Sequence, residues 1–319
     1  MAFKAPFCLR NSHLQTLYPS LFKKKQTLAF NQKIFWLEDG DFLEPFWLEE
    51  DYNKEVVVVL HGLGGSFRSA YVSSLMSALK HSGFSVVLMH FRGCGTQANN
   101  KPRSYHSGDT ADFRFFVESL SKKTKDLHAI GFSLGANVLL KYLGEFGQDS
   151  LIKSAMAVSP PMKLDVCSNS IGKGFSRFYQ YILLRELKGM FLEKYRRFGA
   201  GCFSHVDEKT IRGIATFWEF DDLYTAVVHG FDSAASYYKE SSSFYYLKAI
   251  TTPTLILHAQ DDAFMDERVI PTVCDVSKSV ELEIPLHGGH VGFVEGSLFA
   301  PKYYVDKRAV EFFVAHSKR

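Results

Sequence analysis

A mostly parallel α/β sheet flanked by helices is the fold class this sequence predicts, and three observations predict it. Short apolar runs at residues 55–60, 84–90, 152–158 and 253–258 are continuous rather than alternating, as strands buried on both faces must be. Stretches with helical spacing lie between them, so strand and helix alternate along the chain. Several of these runs end in small, polar turns at the carboxyl ends of strands, where open α/β sheets hold their ligands.

Bulk properties agree with a large soluble core. The chain has 319 residues and 46% of them are hydrophobic, enough for one large domain or two average ones. A net charge of +3, without a basic stripe, leaves no electrostatic footprint for nucleic acid. Cys8, Cys94, Cys167, Cys202 and Cys274 are scattered and odd in number, so they read as free thiols in a reducing, cytoplasmic compartment. No metal site and no cofactor are expected. The first residues lack the unbroken apolar stretch of a signal peptide, and no segment reaches the roughly 18 apolar residues of a membrane span.

Taken in order, Asn11-Ser-His-Leu-Gln-Thr-Leu17 predicts a short helix and a turn, with His13 as a structural hydrogen-bonding residue. Lys23, Lys24 and Lys25 read as a solvated face. Apolar alternation at 26–30, 33–37 and 42–48, broken by Asn31-Gln32 and Asp39-Gly40, predicts antiparallel strands joined by tight turns. The strand at 55–60 runs into His61-Gly-Leu-Gly-Gly-Ser66, a turn whose small residues let backbone amides approach an anionic oxygen. The amide of Leu63 is the candidate donor there, and His61 shapes the loop. A phosphate loop is the competing reading, but its G-x-x-x-x-G-K-[ST] pattern is absent.

A helix over 71–82 ends at Gly83, a strand follows over 84–90, and Phe91-Arg-Gly-Cys-Gly95 turns into a long polar loop containing His106. The loop position of His106, upstream of the nucleophile described next, disfavours it as a catalytic base. Helical spacing resumes over 112–120.

Strand, tight turn and helix then meet at Gly131-Phe-Ser133-Leu-Gly135. A G-x-S-x-G corner holds its serine in a sparsely populated backbone conformation. The residues two positions either side must be small, so that strand and helix can close on each other. Ser133 is the candidate nucleophile, and the amide of Leu134, at the helix N-terminus, would pair with that of Leu63 as an oxyanion hole.

After the strand at 152–158, closed by Ser159-Pro-Pro161, strand–helix alternation breaks down. Residues 162–248 are rich in Phe, Tyr, Arg and Lys at helical spacing and predict a helical cap inserted over the crevice. Residues 1–161 and 249–319 then form the α/β core. The strand at 253–258 leads to Asp261 and Asp262, and the last strand, 280–285, to His287-Gly-Gly-His290; a helix over 303–316 follows.

The order Ser, Asp, His along the chain is that of α/β-hydrolases. A serine hydroxyl is a poor nucleophile at neutral pH, so an imidazole must take its proton, and a carboxylate must fix the imidazole's tautomer and stabilise its charge. Asp262 is the better acid, because it stands three residues beyond Ala259, the small residue closing its strand; Asp261 then serves the turn. His290 is preferred over His287, because Gly288 and Gly289 give it a flexible loop able to swing in.

Asn11-Ser-His-Leu-Gln-Thr-Leu, His61-Gly-Leu-Gly-Gly-Ser, Phe91-Arg-Gly-Cys, Tyr105-His-Ser-Gly, Gly131-Phe-Ser-Leu-Gly-Ala-Asn and His287-Gly-Gly-His-Val-Gly-Phe together resemble the YheT-like family of α/β-hydrolases over nearly the whole chain. The resemblance implies Ser133, Asp262 and His290 as the triad, and hydrolysis of carboxylic esters with short or medium acyl chains. Two positions depart from the family pattern: Gly64, where relatives often carry Glu, and Ala263, where Pro is usual.

The expected activity is that of a carboxylesterase or monoacylglycerol lipase working through an acyl-enzyme. Its partner is a small-molecule ester or acylglycerol, with transient contact to a membrane or lipid surface compatible with it. Acyl transfer to another acceptor and a non-catalytic binding module are the alternatives. Dehalogenase or epoxide-hydrolase chemistry needs a carboxylate where Ser133 stands.

Overall fold

In the computed structural model, which describes residues 3–24, 26–124 and 126–318, a 3-10 turn (Phe7–Leu9) precedes helix α1 (Ser12–Phe22). Asn11 starts that helix by accepting from the amides of His13 and Leu14, two donors that would otherwise have no partner. Short strands β1 (Asn31–Gln32), β2 (Phe35–Trp36), β3 (Phe42–Leu43) and β4 (Pro45–Glu49) follow. Then come β5 (Val56–Leu60), α2 (Ala70–His81), β6 (Ser85–Met89), α3 (Thr110–Ser121), β7 (Leu127–Phe132), α4 (Leu134–Phe146) and β8 (Ser154–Val158).

Among the described residues one sheet has eight strands in the order β1-β4-β6-β5-β7-β8-β9-β10, where β9 is Thr254–Leu257 and β10 is Val280–Glu283. From β6 to β10 every pairing is parallel; β1 and β4 join antiparallel at one edge. The period of two in a strand divides β5 between two cores. Val56, Val58 and Leu60 face the layer of α3 and α4, whereas Val57 and Val59 face α2 and the terminal helix. Each such fully buried side chain contributes roughly 1.5–3 kcal/mol, which is why the strand reads as unbroken hydrophobicity.

Between β8 and β9 the chain leaves the sheet for α5 (Leu164–Ile171), α6 (Ser176–Phe198), α7 (Ala200–Phe203), α8 (Glu208–Gly213), α9 (Phe217–Phe220), α10 (Ala226–His229) and α11 (Ala234–Ser241). This excursion has an apolar cluster of its own around Leu184, Phe191, Phe203 and Tyr224. A ribbon of β11 (Val294–Gly296) and β12 (Pro301–Tyr303) and the helix α12 (Tyr304–Ala315) complete the chain. Among the described residues no helix is long and apolar enough to cross a membrane, and all five cysteines are free.

Two expectations fail at the N-terminal edge. Residues 26–30 form no strand, and Asn31-Gln32, read as a turn, is instead the edge strand β1, paired with Trp47 and Phe46. An edge strand is held by main-chain bonds and has no buried face, so Asn and Gln serve as well as Val. Lys23 is buried rather than solvated: its ammonium bonds to Asp306 at 2.9 Å and sits over the Tyr303 ring. Lys24 is exposed, and Lys25 lies outside the described residues.

The turn after β6 is anchored by a buried cation. Arg92 meets both oxygens of Asp112 at 2.6 and 2.7 Å, and also Asp39 and Asp41. Beside it, His61 and His90 each present Nδ1 to a carbonyl and accept a backbone N–H at Nε2, so both imidazoles are neutral. Burial drives His61 down to about 3 and His90 to about 4. The unfolded chain therefore binds their protons first, beginning near the ordinary value of about 6.5. Stability is intact above that pH and is lost as pH falls toward 4, at about 1.4 kcal/mol per pH unit for each group. Urea unfolding between pH 7 and 4.5 should show a falling midpoint, with a shallower fall in His90→Gln; a midpoint independent of pH would contradict the assignment.

Candidate active site

The corner between β7 and α4 carries the strain the sequence anticipates. Ser133 has φ 49° and ψ −116°, a region L-residues rarely visit. The two flanking glycines are needed for contact distance. A Cβ on Gly131 would stand 2.5 Å from the Gly135 carbonyl oxygen, and one on Gly135 the same distance from that of His61. The serine is thus held above the carboxyl edge of the sheet by strand, helix and the β5 loop together.

His290 reaches this serine from the loop after β10. Its Nε2 lies 3.0 Å from Ser133 Oγ, and its Nδ1 lies 2.9 Å from Asp262 Oδ2 and 3.2 Å from Oδ1. Burial pushes the Asp262 carboxyl up, but the charge and hydrogen bond of His290, with the Phe264 amide, hold it below the usual range. The carboxylate therefore stays ionised and fixes Nδ1 as the protonated nitrogen, leaving Nε2 as the acceptor that a general base requires. The Phe264 ring lies flat against the imidazole, 4.0 Å between centroids at 11°, and sets its plane.

The glycines of the loop bearing His290, read in the sequence as a source of flexibility, are closely packed. Gly289 and Gly292 are small because α1 presses onto them: a Cβ at either would collide with the carbonyl of Ser12 or Gln15. The fully buried Gln15 both donates to the Val294 carbonyl and accepts from its amide, as a strand partner would. Thr16 Oγ1 accepts from the His290 N–H at 2.9 Å. Asp261 accepts from the Gly289 amide and its Oδ2 lies 3.2 Å from His287 Nδ1, so this aspartate serves the turn, while His290 is the histidine that meets Ser133.

Leu134 is the first residue of α4 and Leu63 lies in the loop after β5. Among the described residues, neither backbone N–H donates to a carbonyl. Gly64 donates to the Tyr105 hydroxyl and has φ 64°, the left-handed region that favours glycine; a Cβ there would meet the movable end of Glu186 from α6. Asn137 ties the site's supports together, donating to the carbonyls of Ser107 and Ser241 and accepting from the Ser243 amide.

His106 is buried against His229, Phe231 and Tyr237 and accepts from the Gly108 amide, with no bond to Ser133. His13 packs at a tilt against Phe175 and meets the Tyr179 hydroxyl at 3.2 Å, the structural role expected of it.

A cavity of about 470 Å³ opens over Ser133 and His290. Core residues such as Leu63 and Val291 form one side, and Leu164, Ile171, Leu183 and Phe217 from the excursion between β8 and β9 form another. Such a wall accepts an apolar chain, while the serine, the imidazole and the two unpaired amides suit attack on a carbonyl. Sequence reasoning missed Gln15, Thr16, Phe264 and Asn137 as working parts. Gln15, Thr16 and Asn137 lie inside the quoted motifs, but their partners are 30 to 279 residues away and leave no local signal.

Comparison with known proteins agrees with this geometry. The family model described as the alpha/beta hydrolase fold matches residues 55–297. YheT of Escherichia coli, named as a candidate esterase, is 38% identical over 96% of this chain and 91% of its own. A monoacylglycerol lipase of Saccharomyces cerevisiae is 34% identical over 77% of this chain and 56% of its own. Among solved structures, a soluble variant of the Saccharomyces cerevisiae monoglyceride lipase superposes with a TM-score of 0.57 at 16% identity, covering 92% of this chain and 99% of that one.

If α1 positions the imidazole, Thr16→Val should lower kcat by on the order of 10- to 100-fold, since small misplacements of a reacting group carry that cost. Thr16→Ser should restore most of the rate, and steady-state kinetics with a short ester separates the two; equal rates in both variants would remove Thr16 from the site.

Proposed function

The chain belongs to the α/β-hydrolase family, as a relative of YheT, and is a carboxylic ester hydrolase; we propose that it works through an acyl-enzyme on Ser133. The observation that carries this reading is the unbroken chain of contacts from Asp262 through His290 to Ser133 Oγ.

Ser133 Oγ attacks the ester carbonyl while His290 Nε2 takes its proton. Charge collects on the carbonyl oxygen, and the amides of Leu63 and Leu134 receive it, each such donor lowering the barrier by roughly 3 kcal/mol. Asp262 stabilises the imidazolium. The tetrahedral adduct then collapses: the C–O bond to the alcohol breaks, and the imidazolium returns the proton to the leaving oxygen. Water, deprotonated by His290, attacks the acyl-serine in the same way and releases the carboxylic acid.

The helices between β8 and β9, residues 162–248, act in this reading as the cap of the cavity, and the apolar lining takes the acyl chain. Acylglycerols are the substrate class we favour. Transient lipid-surface contact is part of the proposal, through exposed Leu21, Phe22, Phe175 and Tyr181 on or beside the helices bordering the cavity. Cytoplasmic residence is part of the proposal, and the five free cysteines support it.

Ser133→Ala should reduce p-nitrophenyl ester turnover by at least about 1,000-fold and abolish labelling by a fluorophosphonate, with an unchanged unfolding midpoint. Undiminished turnover in that variant would remove Ser133 from the mechanism.

A further inference from the structure

The cavity over Ser133 has one acidic residue in its lining, Asp221, and that residue stands on unusual backbone. Helices α9 and α10 are continuous through residues Asp221–Thr225, which form a π-helical turn. A π turn inserts one residue too many into the i→i−4 ladder, and its surplus residue is commonly spent on a functional position. Here the turn begins at Asp221, which lines the same cavity as Ser133 and His290.

Among the described residues Asp221 forms no salt bridge, and the hydrogen bonds to its carboxylate come from hydroxyls. Thr225 donates to Oδ1 at 2.6 Å and Tyr238 to Oδ2 at 2.7 Å. The Tyr238 hydroxyl lies 3.0 Å from Ser168 Oγ, so three hydroxyl residues fix the carboxylate's position. A carboxylate offers about four acceptor sites, and these two bonds leave half of them open. Ser168, Tyr237 and Tyr238 line the cavity beside it.

We propose that Asp221 is the polar subsite of this hydrolase: it accepts a hydrogen bond from a hydroxyl on the substrate, selecting esters that carry one over esters that do not. The proposal rests on the ester-hydrolase reading and deepens it. Burial pushes the Asp221 carboxyl up to about 7, more than Thr225 and Tyr238 pull it down, and Asp222 adds to the rise. A group so held gains from any donor the substrate brings.

The hydroxyl could belong to the alcohol portion of the ester or to its acyl portion, and matched pairs separate the two. One pair is 1-octanoylglycerol against propyl octanoate; the other is propyl 8-hydroxyoctanoate against propyl octanoate. Wild-type enzyme should prefer the hydroxylated member of one pair by about tenfold or more in kcat/KM, the scale of one hydrogen bond to a charged group. In Asp221→Leu that ratio should fall toward one, whatever the absolute rates become. Asp221→Asn, which keeps the shape and one acceptor, should give an intermediate ratio and covers the case in which the leucine variant does not fold. Wild-type ratios near one in both pairs, or a preference that survives in the variants, would overturn the subsite while leaving the hydrolase reading standing. Failure of wild-type enzyme to turn over any of these esters would remove both.

Discussion

The structure depends on one close approach, that of the β7 strand end to the first turn of α4. Ser133 can occupy its strained corner only because Gly131 and Gly135 let backbone meet backbone at distances no side chain would tolerate. That corner projects the hydroxyl above the sheet, exposes the Leu134 amide, and presses α4 against the loop after β5 that carries Leu63. A methyl group at either glycine would separate strand from helix and disturb all three at once. The strain is held by the buried central strands, whose two apolar layers leave the corner nowhere to relax.

The imidazole is positioned by different means. No strand carries it; it sits on a loop, where thermal motion would ordinarily blur a 3.0 Å contact. Rigidity comes from α1, whose Gln15 substitutes for a neighbouring strand and whose Thr16 ties the His290 amide. Phe264 and Asp262 then restrict the ring's tilt and tautomer. The N-terminal segment, remote in sequence from Ser133, therefore contributes contacts to the candidate site.

This division explains what the sequence made legible. The central strands announced themselves because burial on both faces demands an uninterrupted apolar run, and Val56–Leu60 admits no other reading. Ser133, Asp262 and His290 were legible because each follows such a strand, and the sheet's topology brings strand ends to one rim. Asn31-Gln32 escaped because an edge strand is specified by backbone bonds alone. Lys23 escaped because its partner Asp306 is 283 residues away, and a lysine run looks the same whether one member is buried or none. The packing of the His290 loop was not legible for a related reason: glycines permit either flexibility or close approach, and the contact with α1 has no local signal.

Asp221 shows the limit of such reading most clearly. In sequence, Glu219-Phe-Asp-Asp222 resembles any charged turn on a helix surface. Asp221 opens the π turn and lines the cavity, and neither fact has a signature in the local sequence. The core and the inserted helices thus divide the work along physical lines. The sheet supplies fixed points for bond breaking, where tolerances are a few tenths of an ångström. The insertion supplies another wall of the cavity, apolar at Leu164, Ile171, Leu183 and Phe217 and polar at Ser168, Asp221 and Tyr238.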